Sequence, residues 1–558
     1  MLATFAALSG CAVWLGCSTS EAFGLPGAAE SASGCGAPST AIEQLRGTGS
    51  AQLAGGRLIT LEGVVTAVRV GPEPRAGFYL QAETPTSSGP AGGIFVVTDP
   101  ASPPELGIRV RVRGQLGKAP AQPELMQLEL LQRCGNSTLQ PEPFELPVSG
   151  SPELWDRRWV RALADWVVID NTEVASSGKL TLSSTGRRYA SGHELGGRAP
   201  VDDEAWTLEG LDQVLPEWIE ADEVSQHLRL GAQCSELRAV VLSASEHRLL
   251  ASGPPLLHAA TPSAPTAPAA TSIRVAALNL DNYFVALGAR GARTLPELSR
   301  QRDKLTSLLA ALDADVLGLS ELQNTADTSL SDLILALNAR LGGERSYRFE
   351  DSGDPGADAL RTGIAYRATR VTATSPARFA SAPEFRRPPL FQSFEAGTLH
   401  FTLGVVHLKS KRCDDGPELI GPEGCGADAR TRETAALLRT LDALPGSPQA
   451  VLLAGDFNSD PLEAPSQALE HAGLVDLLDG VPVSERYSYA FDGQLSQLDH
   501  AFATSALAPA LVRAAIWHVD ADEPRLLGYE LANPPGAYRP DARRASDHDP
   551  VLVDLSVQ

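Results

Sequence analysis

Several polar residues in the C-terminal half of the chain stand close after short apolar runs, and their types suit one kind of chemistry. Carboxylate and amide oxygens are the ligands that hard divalent cations such as Mg²⁺, Mn²⁺ and Ca²⁺ prefer. Histidines transfer protons near neutral pH. Together these groups predict metal-assisted hydrolysis of a phosphate ester. The residues are Asn279, Glu321, His407, Asp456, Asn458, Asp499, Asp547 and His548.

Motifs for other hydrolytic chemistries are missing from the sequence. No Cys/His set has zinc spacing, no serine lies in G-x-S-x-G, and no G-x-x-x-x-G-K-[ST] occurs. Taken singly, each polar residue also has a structural explanation, since Asp456 and Asn458 suit a turn and Glu321 suits a helix cap. Their joint occurrence in this order favours a catalytic site over these separate explanations.

The sequence around these residues predicts the elements that must position them. Buried strands are predicted at IRVAALNL and DVLGLSEL, and an amphipathic helix at RDKLTSLLAAL between them. A further helix is predicted at RTRETAALLRTLDAL and a further strand at AVLLAGDFN. Strands of one sheet deliver the side chains at their ends to a shared edge. Residues 273–558 are therefore predicted to form an α/β domain.

The composition changes along the preceding residues predict several further segments. Residues 41–140 alternate apolar and polar residues between Gly/Pro turns, which predicts an all-β unit, and residues 141–250 predict a second β-rich domain less clearly. A Pro/Ala-rich linker is predicted at 251–272 and a tether of small residues and proline at 21–40.

Residues 1–20 are apolar before they turn polar, as in a secretory signal, although no basic residue occurs before Arg46. Cys11, in LSGC, and Cys17, after LG, are candidates for lipid attachment because their surroundings resemble a bacterial lipoprotein cleavage box. We expect an extracytoplasmic protein of a bacterium, either secreted or a cell-envelope lipoprotein. A plain membrane anchor is the alternative.

The five remaining cysteines suit an oxidising compartment. Cys413 and Cys425 bracket a Gly/Pro-rich stretch, which predicts a disulfide that closes a small loop. Cys35 and Cys134 flank the first β unit and are predicted to join its ends. This scheme leaves Cys234 without a partner.

The net charge of −22 disfavours bulk electrostatic attraction to a polyanion. A nucleic-acid substrate would therefore need a local basic cluster, such as Lys409, Lys411 and Arg412 just after His407. The acidity predicts modest DNA affinity that depends on divalent metal.

The ordered motifs LNLDNYF, SEL, GVVHLKSK, AGDFNSDP, QLDH and SDHDP resemble the endonuclease/exonuclease/phosphatase superfamily, which includes deoxyribonucleases. The chain is most similar to bacterial extracellular nucleases with N-terminal OB-like domains, through DALRTGIAYR, HLKSKRCDDG, GFYLQAE and GIFVVTD. This resemblance implies an α/β fold with a C-terminal four-layer sandwich, in which two packed β-sheets are flanked by helices. Small all-β OB-like domains precede it.

The resemblance also implies a role for each motif residue. It implies a divalent metal, with Mg²⁺ favoured and Mn²⁺ or Ca²⁺ as alternatives. The implied metal-binding residues are Glu321, Asn279 and Asp547. The implied catalytic residues are His407, Asp456, Asn458, Asp499 and His548. The implied substrate-binding residues are Lys409, Lys411, Arg412 and Asp358.

The resulting hypothesis is an exported metal-dependent nuclease that hydrolyses DNA, with RNA as a further substrate, by in-line attack of water. One alternative is a phosphoesterase of the same fold that acts on inositol phosphates or phospholipids, and another is a non-catalytic nucleic-acid-binding surface protein. We expect a monomer that contacts the envelope membrane only through an N-terminal lipid. The sequence indicates no protein partner.

Overall fold

The computed structural model describes eleven stretches of the chain, and it divides into two compact units. Unit 1 comprises Met1–Glu142, Gly150–Arg161 and Arg238–Ala244, and unit 2 comprises Pro143–Ser149, Ala162–Leu237 and Ser245–Gln558. The described stretches are 23–24, 34–45, 56–70, 75–83, 92–98, 103–117, 123–196, 205–259, 264–413, 423–444 and 450–558. Cys11 and Cys17, the candidates for lipid attachment, lie outside them. Within these stretches, no helix has both the length and the hydrophobicity needed to cross a bilayer.

Unit 1 contains a closed β-barrel. Its first six strands are β1 (Phe23–Gly24), β2 (Leu58–Arg69), β3 (Gly77–Gln81), β4 (Ile94–Val97), β5 (Ile108–Leu116) and β6 (Glu124–Asn136). Hydrogen bonds join them in the order β5-β2-β3-β4-β6, and β6 pairs back to β5 to close the ring. β4 and β6 are parallel, and the other barrel pairs are antiparallel.

The barrel is filled by the inward side chains of these alternating strands. Among them are Leu61, Val65, Phe78, Val96 and Val112. A disulfide joins Cys35 to Cys134, the pair that the sequence suggested. The buried Arg111 guanidinium donates to the carbonyls of Ala37 and Pro38, both at 2.8 Å, so the segment after Cys35 is held against the barrel.

The next strands and helices are short. The strands are β7 (Glu142–Phe144), β8 (Trp159–Ala162), β9 (Trp166–Asp170), β10 (Leu180–Ser183), β11 (Ala205–Glu209), β12 (Gln233–Ser235), β13 (Arg238–Ser243), β14 (Arg248–Ala251) and β15 (Leu256–His258). The helices are α1 (Val174–Ser177), α2 (Leu215–Glu220) and α3 (Val224–Leu228). We call the part of these residues that lies in unit 2, residues 162–237 and 245–258, the middle β-region.

In the middle β-region, six strands form a sheet in the order β15-β12-β9-β10-β11-β14. Its core includes the rings of Trp166 and Trp206, which meet edge-to-face with 6.3 Å between their centroids. This region belongs to the same compact unit as residues 273–558. The second β-rich domain at 141–250 stays a prediction. The exact boundaries of the predicted segments stay predictions.

The rest of unit 2 contains two larger sheets. The strands are β16 (Ser272–Tyr283), β17 (Val316–Gln323), β18 (Leu360–Tyr366), β19 (Thr372–Ala373), β20 (Arg378–Phe379), β21 (Leu390–Ala396), β22 (Leu399–His407), β23 (Val451–Asp456), β24 (Val475–Asp476), β25 (Tyr489–Phe491), β26 (Gln494–Ser496), β27 (Asp499–Ala503), β28 (Leu511–Ile516) and β29 (Val551–Ser556). The helices are α4 (Leu295–Leu312), α5 (Thr328–Leu341), α6 (Ala427–Asp442) and α7 (Ala464–His471).

These elements form four layers. Sheet 1 has the order β18-β17-β16-β29-β28, and sheet 2 has the order β19-β21-β22-β23-β27-β24. The main core lies between the sheets, where Val275 and Val553 of sheet 1 pack with Leu403 and Leu452 of sheet 2. Helices α4 and α5 cover the outer face of sheet 1, and α6 and α7 cover that of sheet 2. The predicted α/β sandwich and the all-β region before it are confirmed.

The continuous burial of β16 and β23 explains their apolar sequences, because both faces of each strand are covered. Helix α4 begins at a cap in which the Thr294 hydroxyl accepts from the Glu297 amide at 3.3 Å. The Glu297 carboxylate in return accepts from the Arg293 amide at 2.9 Å. These local signals fix where the strand-to-helix connection after β16 ends.

Candidate active site

The predicted catalytic residues meet where strands of the two sheets end. In sheet 2, His407 pairs with Asp456 across the parallel strands β22 and β23, and Asp456 pairs with Asp499 across β23 and β27. In sheet 1, Asn279 lies on β16 and Glu321 on the neighbouring β17. Sheet register therefore places these side chains together.

Asp456 is at the centre of this group. Its Oδ2 accepts from Asn279 Nδ2 at 3.1 Å and lies 3.5 Å from His407 Nε2 and 4.0 Å from His548 Nε2. Its other oxygen accepts from the Asn458 amide at 2.8 Å. Asp456 therefore connects both sheets and both histidines.

His548 is oriented by a buried carboxylate. Its Nδ1 lies 2.7 Å from Asp499 Oδ2, and the Ser488 hydroxyl donates to the same oxygen at 2.7 Å. The ring of Tyr489 packs on the imidazole with 4.6 Å between centroids. This arrangement fixes the orientation of His548 and leaves Nε2 toward Asp456.

The backbone at the site is unusual. Glu321 has a φ of 61° and Asn458 a φ of 48°, in the left-handed region that L-residues other than Asn and Asp rarely adopt. Glu321 is held there by the Asn282 amide, which donates to its Oε2 at 2.8 Å. Gly455 has a φ of 133° and pairs with Val406 of the neighbouring strand β22. A Cβ at Gly455 would lie only 2.3 Å from the Val406 carbonyl oxygen. Strain of this kind concentrates at functional sites.

The site concentrates carboxylates whose ionisation is unfavourable. Burial, reinforced by the charge of Asp547, raises the pKa of Glu321. Burial likewise raises the pKa of Asp456 to about 7, against the opposing effect of His548. Burial and the charges of Asp547 and Glu321 raise the pKa of Asp281 to about 8. This excess of negative charge favours a bound cation.

The two histidines differ in charge. Burial alone would lower the pKa of His548, but the carboxylates of Asp499 and Asp456 raise it well above the ordinary value, so His548 is protonated near neutral pH. Burial and the positive charges of Arg387 and His548 lower the pKa of His407 well below its ordinary value. His407 is therefore neutral near pH 7.

A known protein family is similar to the part of the chain that contains these residues. Residues 279–548 match the model of the Endonuclease/Exonuclease/phosphatase family. This C-terminal region is therefore similar to that family. The match begins at Asn279 and ends at His548, so it contains all the implied metal-binding and catalytic residues. No curated protein matches the sequence.

Solved structures of the same superfamily are similar to this region. One is D. rerio TDP2 in complex with a single-strand DNA product, which is 20% identical and aligns over 51% of this chain and 99% of its own, with a TM-score of 0.35. A second is a Bacteroides thetaiotaomicron mannosyl-6-phosphatase, at 19% identity, 51% and 99% coverage and a TM-score of 0.35. A third is the human Nocturnin catalytic domain with a bound sulfate anion, at 17% identity, 52% and 96% coverage and a TM-score of 0.34.

Members of this family generally depend on a divalent metal, and the donor set of this chain fits one. One ligand atom from each of Asp456, Asp499 and His548 lies close enough to the other two for the three to bind an ion. However, Asp499 Oδ2 already contacts His548 Nδ1 and accepts a hydrogen bond from Ser488. Glu321 is the better ligand, since it has a raised pKa and no cationic side chain hydrogen-bonded to it within the described residues.

The predicted substrate contacts in the family region are engaged within the protein. Lys409 is buried and donates to the carbonyls of Ser410 and Arg412, both at 3.1 Å. Lys411 pairs with the buried carboxylates of Asp460 at 2.8 Å and Glu463 at 2.7 Å. The predicted Cys413–Cys425 disulfide is formed next to them. These contacts indicate that both lysines hold this loop in place.

Asp358 and Arg412 lie outside the central group of contacts. Asp358 accepts from Arg386 Nε at 2.9 Å, and Arg412 is exposed. That these two residues contact the substrate stays a prediction. Asn458, by contrast, is buried, and its Nδ2 donates to the Leu408 carbonyl at 3.2 Å.

The sequence reasoning missed several residues of this candidate site. Asp281 lies two positions after Asn279 in the motif LNLDNYF, which could have indicated it. Arg387 is buried behind the site, where its guanidinium donates to the Leu408 carbonyl. Ser488 and Tyr489 lie in a segment without a motif, and only the tertiary structure brings them to Asp499 and His548.

A cavity of about 480 Å³ opens beside His548. The C-terminal sandwich contributes Asp281, Phe491, Arg525 and Asp547 to its lining, and the middle β-region contributes residues 170, 172 and 173. Phe491 is 71% exposed, and within the described residues the exposed Arg525 guanidinium has no hydrogen-bond or ion-pair partner. An exposed aromatic ring and a free cation thus border the candidate active site.

Proposed function

We propose that this chain is an exported, metal-dependent nuclease that hydrolyses phosphodiester bonds of DNA, with RNA as a further substrate. The observation that carries the proposal is the hydrogen-bonded Asp499–His548 pair beside Asp456 and Glu321. This set can orient a proton-transfer group and bind a hard cation at one point. The family's hydrolytic character supports this reading.

In this mechanism the chain holds the scissile phosphate at the meeting point of Asp456, His407 and His548. Asp456 takes the proton of the attacking water, and protonated His548 neutralises charge on the phosphate oxygens and gives its Nε2 proton to the leaving oxygen. Asp499 keeps the His548 imidazole in one orientation throughout. Neutral His407 serves as a hydrogen-bond partner of the phosphate.

Glu321, with Asn279 and Asp547, would hold the divalent metal. When bound, the metal offsets negative charge that develops on phosphorus oxygens. Mg²⁺ is favoured because the donors are carboxylate and amide oxygens, with Mn²⁺ and Ca²⁺ as alternatives.

The cavity beside His548 supports a nucleic-acid substrate over a sugar phosphate. An exposed aromatic ring such as Phe491 offers a stacking surface for an unpaired base. The unpaired guanidinium of Arg525 suits a neighbouring backbone phosphate. A strand end with an unpaired base and a second phosphate would use both contacts, whereas a simple sugar phosphate, with one phosphate and no base, would not.

We also propose an OB-like identity for the barrel and an extracytoplasmic location. The barrel has five strands, a closed ring and a parallel β4–β6 pair, in keeping with a Greek-key barrel of the OB type. The two disulfides support a location outside the reducing cytosol. Neither point depends on the catalytic proposal.

A digest panel tests the function. Purified full-length protein is incubated with plasmid DNA, linear DNA, RNA, a phospholipid, an inositol phosphate and mannose 6-phosphate, each with Mg²⁺, Mn²⁺, Ca²⁺ or a chelator. We expect metal-dependent cleavage of DNA and none in the chelator. Release of phosphate from the monoesters alone would assign a phosphatase instead, and full activity in the chelator would contradict the metal requirement.

Two variants test the substrate contacts. Phe491→Ala and Arg525→Ala should each raise KM for a single-stranded oligonucleotide about tenfold. They should leave hydrolysis of bis(4-nitrophenyl) phosphate unchanged, because that small diester reaches neither residue. Leu335→Ala, an exposed apolar residue on α5, and Arg439→Ala, an exposed cation on α6, are the matched controls. An unchanged KM in both cavity variants would contradict the proposal that the cavity binds a nucleic-acid strand.

A further inference from the structure

Two arginines of the middle β-region reach the loops behind His548. Arg187 Nη1 lies 2.5 Å from Tyr487 Oη, and its Nη2 lies 3.2 Å from Asp522 Oδ2. Arg229 binds the same carboxylate at 3.1 Å. Tyr487 Oη also donates to Asp522 Oδ2 at 2.9 Å. Tyr487 is thus fixed at its hydroxyl by a cation that does not belong to the family region.

The residues after Tyr487 act directly on the catalytic pair. Ser488 donates to Asp499 Oδ2 at 2.7 Å, and its carbonyl accepts from the Asp549 amide at 2.8 Å. Tyr489 packs its ring on His548. Any shift of the backbone at 487 therefore moves both the partner of Asp499 and the ring against which His548 rests.

A second set of contacts leads from Tyr487 to the other side of His548. The Tyr487 ring stacks on His518 with 4.0 Å between centroids and 7° between planes. His518 Nδ1 lies 2.9 Å from Asp549 Oδ2, and Asp549 directly follows His548. The Arg187 guanidinium also lies over the Tyr487 ring, 5.1 Å from its centroid.

We propose that Arg187 is a positioning residue for catalysis: it holds Tyr487 so that Ser488, Tyr489 and Asp549 keep the Asp499–His548 pair in its productive orientation. The middle β-region thereby forms part of the active site's support, although it lies outside residues 279–548. This inference rests on the proposed catalytic role of His548, but it does not depend on which phosphoester is the substrate.

Arg543 provides a matched control. Its Nη2 pairs with Asp222 of the middle β-region at 3.1 Å, so it also joins that region to the sandwich. It makes no contact with Tyr487 or Ser488 within the described residues. A general loss of attachment of the middle β-region would affect Arg543 variants too, whereas loss of positioning would be specific to Arg187.

The experiment compares Arg187→Met, Arg187→Lys, Arg229→Met and Arg543→Met in the full chain, with bis(4-nitrophenyl) phosphate and Mg²⁺ as the assay. Supporting contacts of this type typically contribute 10–100-fold, so we expect kcat of Arg187→Met to fall by about that factor with KM unchanged. Arg187→Lys should recover part of kcat, because a lysine ammonium still donates to Tyr487 and Asp522. Arg543→Met should retain full kcat.

Arg229→Met separates positioning from stability. It removes one cation from Asp522 and the donor to the His518 carbonyl, but no hydrogen bond of Tyr487 itself, so it should lower the unfolding temperature while retaining more of the kcat than Arg187→Met. If Arg187→Met and Arg229→Met lose kcat equally, or if the folded fraction of Arg187→Met has full kcat, the positioning role is wrong.

Hydrogen exchange by mass spectrometry keeps the inference testable if the wild type hydrolyses no phosphoester. In that event the proposed function fails, and exchange still decides the structural claim. Arg187→Met should accelerate exchange at 487–500 relative to Arg543→Met. Equal protection of that segment in both variants would overturn the proposal.

Discussion

Unit 2 contains two buried clusters of carboxylates that differ in how their charge is balanced. In the first cluster, burial would raise the pKa of Asp522, but the charges of Arg187 and Arg229 lower it below its ordinary value. Around Asp456, burial raises the pKa, and no arginine contacts the carboxylate within the described residues. We call the cluster around Asp522 the complete ion-pair network and the cluster around Asp456 the incomplete cluster.

The difference separates structural acids from catalytic acids. Buried charges that are fully paired hold segments together, and removing one partner exposes an uncompensated charge. Buried acids without a cationic partner cost stability, and they are retained where chemistry needs them. Mutation of the incomplete cluster should therefore affect activity more than stability, and mutation of the complete network should affect stability more than activity.

The largest expected effect is on activity at the incomplete cluster. Asp456→Asn or His548→Ala should lower kcat by about 10³-fold or more, because each removes a proton-transfer group. For Asp456→Asn the free energy of unfolding should stay the same or increase, since a strained and charged site is relieved. Assays with DNA and Mg²⁺, together with urea denaturation, measure both quantities. Hydrolysis near the wild-type rate by either variant would refute the assignment of these residues.

The next effect is on stability at the complete network. Arg229→Met should lower the free energy of unfolding by about 3–5 kcal/mol, because it leaves the buried Glu523 carboxylate without its cationic partner and leaves Asp522 with Arg187 alone. Urea denaturation measures this loss. Arg543→Met at the more exposed Asp222 pair should cost about 1 kcal/mol or less. Equal losses in the two variants would show that burial does not distinguish the pairs.

The smallest effect is the pH dependence of stability without metal. The folded state binds the Asp456 proton up to a pKa of about 7, whereas the unfolded chain releases it near 3.8. Between these values the folded state carries more protons, so stability falls as pH rises, on the order of 1 kcal/mol per pH unit. The raised pKa of His548 acts in the same direction above its ordinary value.

Denaturation in a chelator from pH 4 to 7 measures this slope. Asp456→Asn should flatten it, and excess Mg²⁺ should reduce it, because a bound cation favours ionised carboxylates. Stability that rises with pH in the chelator would mean that Asp456 is ionised throughout, and the two clusters would then not differ in the way described.

The catalytic cluster could be predicted from the sequence because sheet geometry is regular. Each apolar run ended in a polar residue, and a parallel pair such as β22 and β23 must bring His407 and Asp456 to one edge. Asn279 and Glu321 follow the same rule on β16 and β17. The pattern of apolar residues therefore predicted an α/β domain and most of the candidate site, whereas the four-layer sandwich was implied by the resemblance to the family.

The ion-pair network could not be predicted in this way. Arg187 and Asp522 are 335 positions apart, and neither lies in a motif or at the end of a strand predicted from the sequence. The same limit applies to Lys411, whose position after His407 indicated a phosphate contact. Only the fold shows that Asp460 and Glu463 neutralise it. Proximity along the chain is a poor guide where side chains from distant segments meet.

The Cys35–Cys134 disulfide has a mechanical consequence. It joins the start of the barrel to the end of β6, and the two cysteines are 99 positions apart in the sequence. A pulling force applied to the chain before Cys35 passes through this bond directly to Cys134, so the barrel strands between them carry no load. Roughly 33–36 nm of contour length stay hidden from such a pull until the disulfide is reduced. If the N-terminus anchors the protein, the barrel keeps its fold while the anchor is under tension.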